Sequence, residues 1–433
     1  MNNSITEAQK LIDFIYKSPD SYHAVENIRE VLMSNGFKQL KEEDRWEIKN
    51  GGRYFVIRNG SAIIAFTAGL GSVAEYGFKI IGAHNDSPGF RIKPCPEMEV
   101  EKSYLKLNTE VYGSPIINTW LDRPLSISGR VVIKTKDAMH PEISLVNINK
   151  PILVIPNLSI HMNRDVNKGV ELNRQKDILP ILTMVSKNFE SKNYLQKLIA
   201  EELNIHVDDI ADFDLYLYEY QKGCIAGLNN EFISSGRLDD LSMVYAGINA
   251  LVSSKNTQCT KVMACFDNEE VGNTTRQGAN SNMLTSILER IAMSMGMDRE
   301  DYLRAQARSF LISCDLGHAL HPNYPEKSDP INRPLINQGP IIKISASQSY
   351  TTDAVSGAVY ESICKDCGIP VQKYVNRSDE RGGSTIGPAA SSSLNILSLD
   401  MGIAILAMHS IRELGGVEDY NYALQSFLEY YNY

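Results

Sequence analysis

What this sequence lacks narrows its class before any motif is considered. No apolar run approaches the ~20 residues needed to span a bilayer, and the longest late run, Met401 to Met408, is far shorter. Seven cysteines in 433 residues are too few for a disulfide scaffold and read as reduced thiols. A basic surplus is also missing. Lys plus Arg is 43 against 52 Asp plus Glu, a formal charge of −9, which gives no electrostatic reason to bind nucleic acid or anionic membrane. Residues 1–20 contain neither a basic n-region nor an apolar h-region, so no targeting segment is expected and a cytoplasmic location is. The helical zinc motif His-Glu-x-x-His is absent. Gly382-Gly383-Ser384-Thr385 lacks the lysine ending of a phosphate loop, and Cys364-Lys-Asp-Cys367 has no second pair to make a zinc ribbon.

What is present is ordinary globular composition, 43% hydrophobic and 22% charged, with length for two or three domains. Ala8, Leu11, Ile12, Ile15 and Tyr16 share one helical face that ends at Ser18-Pro19-Asp20, and a second helix covers about 22–33. The period then changes to two. Arg53–Ile57 and Ala62–Phe66 flank Asn59-Gly60, which predicts a hairpin. Phe78–Ile81 is a strand running into Gly82-Ala83-His84. Between about Cys95 and Glu231, short β-like runs (Leu105–Leu107, Val131–Lys134, Ile152–Ile155, Leu215–Tyr220) alternate with polar loops and one helical stretch near Ile178–Leu203. This texture predicts an inserted β-rich domain at 96–231, interrupting a discontinuous domain of 1–95 and 232–433.

After Glu231, helices (Leu241–Leu251, Met283–Met295, Ala354–Cys367) alternate with strands (Lys261–Phe266, Phe310–Cys314, Ile341–Ile344, Gly402–Met408). Ser410-Ile-Arg-Glu413 has the form of a capping box, which would start a last helix there. The pattern predicts an α/β fold, a mixed sheet with helices on both faces.

Polar residues sit where those strands end or the next helix begins: His84, Asp239, Glu269-Glu270, Asp315 and His409. In open α/β sheets the crevice outside the strands' carboxyl ends binds ligands, so residues far apart in sequence can converge there. Alone, each acid reads as a helix cap or dipole partner. Together, two histidines and three acids match the needs of two zinc ions, or related Co²⁺ or Mn²⁺, with Glu269 left over to take a proton. Asp86, two residues after His84, can accept from the other imidazole nitrogen.

Six segments carry a resemblance. Gly82-Ala-His-Asn-Asp-Ser-Pro88, Arg237-Leu-Asp-Asp240, Asp267-Asn-Glu-Glu-Val-Gly272, Asp315-Leu-Gly-His-Ala-Leu-His-Pro-Asn-Tyr324, Ser384-Thr-Ile-Gly-Pro388 and Leu406-Ala-Met-His-Ser-Ile-Arg-Glu413 resemble, in order, the motifs of the M18 metallo-aminopeptidases, which include the aspartyl aminopeptidases. The resemblance implies a cocatalytic di-zinc centre. In it Asp239 bridges, His84 and Asp315 complete one metal, Glu270 and His409 complete the other, and Glu269 is the general base acting on the bridging water. It further implies that the inserted domain dimerises and that dimers build a tetrahedral dodecamer acting on peptide substrates. His161 matches a histidine that reaches the neighbouring subunit's site, with a role as metal ligand as the alternative. His318, Lys343 and Tyr350 match substrate contacts. Without the family, Lys343 reads as a strand-edge lysine snorkelling to water. Arg377-Ser-Asp-Glu-Arg-Gly-Gly383 departs from the Asn-Asp-x-Pro-Cys-Gly run of aspartyl aminopeptidases, which bears on a preference for Asp or Glu at the substrate N-terminus.

Three functions follow from these observations: an aminopeptidase, a di-zinc amino-acid deacylase or amidase, and a non-catalytic assembly or cargo protein. A requirement for a free α-amine separates the first two. Glu269 argues against the third, because a scaffold has no use for a base.

Overall fold

In the computed structural model, which describes residues 2–185, 193–380 and 382–433, the apolar runs assemble into a mixed sheet. Its strands, among the described residues, are Lys38–Gln39 (β1), Arg53–Arg58 (β2), Ala62–Thr67 (β3), Phe78–His84 (β4), Thr260–Phe266 (β5), Phe310–Cys314 (β6), Ile341–Lys343 (β7), Gln372–Tyr374 (β8) and Leu397–Gly402 (β9). Their spatial order is β1-β2-β3-β5-β4-β6-β9-β7-β8. The central four, β5, β4, β6 and β9, run parallel, whereas β3 pairs antiparallel with β5 and β7 with β9. Asn59 and Gly60 both take positive φ, 57° and 70°, the turn geometry that lets β2 and β3 form a tight hairpin.

Alternation along each strand divides its side chains between two cores. Phe55, Ile63, Ile81, Met263, Ile312 and Leu399 pack against the helices Asn2–Lys17, Ser21–Ser34, Leu238–Ser253, Ala354–Asp366 and Val417–Asn432. Val56, Ile64, Ile80, Val262 and Leu311 pack on the opposite face, against Met283–Ser294, Arg299–Ala307 and Ile386–Leu394. Because helices cover both faces, β5 is buried at every position and reads as an unbroken apolar run. Each fully buried aliphatic side chain contributes roughly 1.5–3 kcal/mol.

This architecture positions the site. The parallel centre puts the carboxyl ends of β4, β5, β6 and β9 along one edge. From β4 the chain goes to β5 on one side and then to β6 on the other, and such a reversal opens a crevice at the strand ends. His84 closes β4, while Glu269 and Asp315 follow β5 and β6.

Contacts divide the chain into two compact units, one of segments ending at Asp86, Gly223–Met408 and Glu413–Tyr433, the other of Ser87–Lys222 and His409–Arg412. The second is built on an antiparallel sheet with spatial order Glu142–Asn147, Leu125–Ile133, Ile210–Glu219, Gly89–Val100, Tyr104–Tyr112 and Ile181–Met184. It begins earlier than residue 96 because Gly89–Val100 pairs with Tyr104–Tyr112 and with Ile210–Glu219. The segment His409–Arg412 joins it through a partly buried ion pair, Arg412 Nε to Glu219 at 2.9 Å, and through Ile411 N donating to Thr119 Oγ1 at 3.0 Å.

Four local expectations are corrected. Ser410-Ile-Arg-Glu413 is no capping box: Glu413 opens the strand Glu413–Gly416, its carboxylate accepts from the Asp239 N–H at 3.1 Å, and the last helix starts at Val417. The stretch near Ile178–Leu203 is a strand, Ile181–Met184, and a helix, Tyr194–Leu203; residues 186–192 lie outside the described residues. The strand expected at Gly402–Met408 lies earlier, at β9, followed by the two-residue Ala404–Ile405. Ile152–Ile155 makes isolated bridges at Leu153 and Val154 only. No expectation covered the helices Arg299–Ala307 and Ile386–Leu394. The first was signalled by a real capping box, Asp298 with Asp301.

Candidate metal centre

His84 ends β4 nearly inaccessible to solvent. Its Nε2 lies 3.4 Å from Asp239 Oδ1, and its Nδ1 lies 3.1 Å from the main-chain oxygen of Asp86 and 3.4 Å from Asp86 Oδ1. Asp239 reaches this point because the chain is non-helical at Asp239 (φ −80°, ψ 110°) and Asp240 (φ −117°, ψ 19°) before regular helix begins. Asp240 is fully buried, and its Oδ2 accepts from the His84 N–H at 3.2 Å.

Glu269 and Glu270 sit on a single 3₁₀ turn, Glu269–Val271, entered through Asn268 at φ 63°. The Asp86 carboxylate accepts from both of their backbone N–H groups, at 3.1 Å each, and so satisfies donors that a helical first turn leaves open. Asp315 follows β6 and is buried. Lys343 on β7, also buried, places its Nζ 3.5 Å from Asp315 Oδ2 and 5.5 Å from the centre of the Tyr350 ring. The ring of Tyr374 lies 6.4 Å from that of Tyr350 and 6.2 Å from that of His318. His318 is exposed and borders a cavity of about 300 Å³ that Lys327, Arg377, Glu380 and Leu406 also line.

The electrostatics are those of anions crowded out of water. Burial pushes the Glu269 carboxyl up to about 8, His84 opposing and Asp315 and Glu270 adding to it. Burial likewise raises Asp315 to about 6, with Lys343 pulling the other way and Asp239 adding. The His84 imidazole is held well above its ordinary range: burial works against its charge, and Asp239 and Asp86 outweigh it. For Lys343 burial also opposes charge, and the Asp315 carboxylate overrides it.

These residues fit a divalent cation. His84, Asp239 and Asp315 are all buried and each offers a donor atom within 4.8 Å of the others; His84 and the half-buried Glu269 and Glu270 offer donor atoms within the same distance of one another. Two donors each ~2.1 Å from a tetrahedral zinc lie about 3.4 Å apart, which is the separation of His84 Nε2 and Asp239 Oδ1. Buried carboxylates gathered at this density need positive charge beyond one lysine and one imidazole.

Of the remaining residues named from sequence, His409 belongs to the second unit, where its Nδ1 lies 3.0 Å from the carbonyl oxygen of Ser114. His161 is exposed on that unit. The sequence alone assigned no site role to Asp240, Tyr374, Asp400 or Glu413. Asp240 had a signal in its adjacency to Asp239, and Asp400 in being a lone acid inside an apolar strand.

Fold and donor set together define an α/β metallohydrolase. Residues 14–431 match the family model described as Aminopeptidase I zinc metalloprotease (M18). A probable M18 family aminopeptidase 2 of Clostridium acetobutylicum is 60% identical over 432 residues, spanning 100% of both chains. Aspartyl aminopeptidase 4 of Saccharomyces cerevisiae is 38% identical over 461 residues, covering 98% of this chain and 94% of its own. Among solved structures, a cryo-EM structure of the Ape4 and Nbr1 complex matches with TM-score 0.95 at 35% identity, over 99% of this chain and 86% of that one. The Saccharomyces cerevisiae mApe1 dodecamer matches with TM-score 0.85 at 29% identity, over 99% and 96%. The chain belongs to the M18 family of zinc metallo-aminopeptidases. It is a hydrolase, which sets aside the non-catalytic reading, and its family is one of aminopeptidases, not of amino-acid deacylases.

Proposed function

We propose that this aminopeptidase holds two zinc ions per subunit and releases N-terminal aspartate or glutamate from peptides. Asp239, His84 and Asp315 would hold one ion, and Asp239, Glu270 and His409 the other. The observation that carries this reading is the buried His84–Asp239–Asp315 group, with the Glu269–Glu270 turn beside the same imidazole. Zinc bound there supplies Lewis-acid polarisation of the scissile carbonyl and lowers the pKa of water.

The protein's own groups do the rest. Glu269, on the turn beside the His84 imidazole, would take a proton from the attacking water and deliver it to the departing amine. Asp86 fixes the turn that carries Glu269 and Glu270 and faces the Nδ1 side of His84, which would leave Nε2 to hold a metal. Ser114 orients His409 in the same way.

An acidic side chain in a closed pocket needs a cation. Lys343, held charged and buried over the Tyr350 ring, is that cation, with His318 and Tyr350 as further contacts. His161, exposed on the second unit, reaches the site of a neighbouring subunit, the second unit dimerises, and dimers assemble into a tetrahedral dodecamer. The similarity to the mApe1 dodecamer supports the assembly. Among the described residues no helix is long and apolar enough to cross a membrane, in keeping with a cytoplasmic enzyme. The test is a rate profile over chromogenic aminoacyl substrates. Aspartyl and glutamyl substrates should lead, an N-acetylated aspartyl substrate should be inert, and a leucyl substrate in first place would overturn the specificity.

A further inference from the structure

Asp400 lies in the middle of β9 with no solvent exposure, flanked by Leu399 and Met401 in the core. Its carboxylate nevertheless collects four donors. Oδ1 accepts from Ser313 Oγ at 2.6 Å and Thr385 Oγ1 at 2.7 Å. Oδ2 accepts from the Thr351 N–H at 2.5 Å and Thr351 Oγ1 at 2.9 Å. The next residue joins the same tie, since Thr352 Oγ1 accepts from the Asp400 N–H at 2.9 Å.

The donors come from three separate segments. Ser313 is the β6 residue in register with Asp400 and stands two places before Asp315. Thr351 adjoins Tyr350, whose ring faces the Lys343 ammonium. Thr385 caps the helix Ile386–Leu394 at the end of the glycine-rich segment. At Gly387 a Cβ would fall 2.3 Å from Asp400 Oδ2, so this helix starts directly against the carboxylate, its positive end toward the charge.

A carboxylate this deeply buried is expensive unless fully hydrogen-bonded, and an apolar residue would serve the core better. We propose that Asp400 is a positioning residue for the substrate side-chain pocket. Through Thr351 it fixes Tyr350 against Lys343, and through Ser313 it fixes the strand end that carries Asp315. It touches neither substrate nor metal. This rests on the reading of Lys343 and Tyr350 as substrate contacts.

The test compares zinc-loaded wild type with Asp400→Ala and, because that change can disturb folding, with Thr351→Val, which keeps shape and backbone N–H and removes only the hydroxyl donor. Thr351→Ser is the conservative control. Three quantities are read: KM and kcat on the aminoacyl substrate that wild type prefers, zinc content, and amide hydrogen exchange over 345–352. The proposal expects Thr351→Val to raise KM about tenfold, the worth of one hydrogen bond to a charged group. It also expects kcat within about twofold, unchanged zinc and faster exchange across 345–352, with Thr351→Ser close to wild type. Unchanged KM and unchanged exchange in Thr351→Val overturn it. So does a loss confined to kcat, or a loss of zinc. A wild-type preference for neutral substrates would be a failure of the acidic reading instead, because KM and exchange are compared on the preferred substrate.

Discussion

Asp86 links the two halves of the site: its carboxylate accepts from the backbone N–H of Glu269 at 3.1 Å while its main-chain oxygen lies 3.1 Å from His84 Nδ1. One residue thus orients both the imidazole at the end of β4 and the turn after β5, whose second glutamate it also holds. Asp86→Ala keeps that main-chain oxygen and removes the carboxylate that holds the Glu269–Glu270 turn, and should cost about 10- to 100-fold in zinc affinity or activity, the usual effect of losing a group that orients the ligands. Zinc dissociation measured against a competing chelator checks this, and an affinity equal to wild type would contradict it.

Glu269 and Glu270 are neighbours on one turn for which we propose different roles. Glu269→Gln should keep its zinc and lose about 10²–10⁴-fold in kcat, as expected for loss of a general base. Glu270→Gln should first lose metal, seen as lower zinc content after gel filtration. The reverse pattern would mean that the roles are exchanged.

Lys343 should decide specificity more than rate. Lys343→Met, which keeps the length and removes the charge, should lower kcat/KM for aspartyl substrates at least about tenfold. The leucyl value should fall much less, so that the ratio of the two reports the lost cation. Equal losses on both substrates would assign Lys343 to the metal site through its pairing with Asp315 at 3.5 Å.

Much of this could be read from the sequence, and the reasons differ by region. The central strands were legible because both faces are covered, which leaves unbroken apolar runs such as Thr260–Phe266. The convergence of His84 and Asp315 was legible because parallel strands expose their carboxyl ends, where both residues fall. Register and long-range pairing were not. Glu413 looked like the end of a capping box because nothing local reveals that its carboxylate receives the Asp239 N–H from a helix far away in sequence. Asp400 was passed over for the same reason. Its donors come from three segments that only the fold brings together.

His161 gives a test of assembly. If it serves a neighbour's site, a His161→Ala chain and a Glu269→Gln chain, each weak alone, should recover activity when mixed and allowed to exchange subunits. Verified mixed oligomers without any recovery would confine His161 to its own subunit or remove it from the reaction.

The central claim is that the buried carboxylates and imidazoles hold two zinc ions on which peptide hydrolysis depends. The most direct measurement is zinc per chain alongside aspartyl-substrate hydrolysis, on enzyme stripped by chelator and titrated back with Zn²⁺. The account predicts about two zinc per chain in active enzyme, no turnover after stripping, and recovery that is complete only when the second equivalent is bound. Full activity in metal-free protein, or full recovery at a single equivalent, would contradict it.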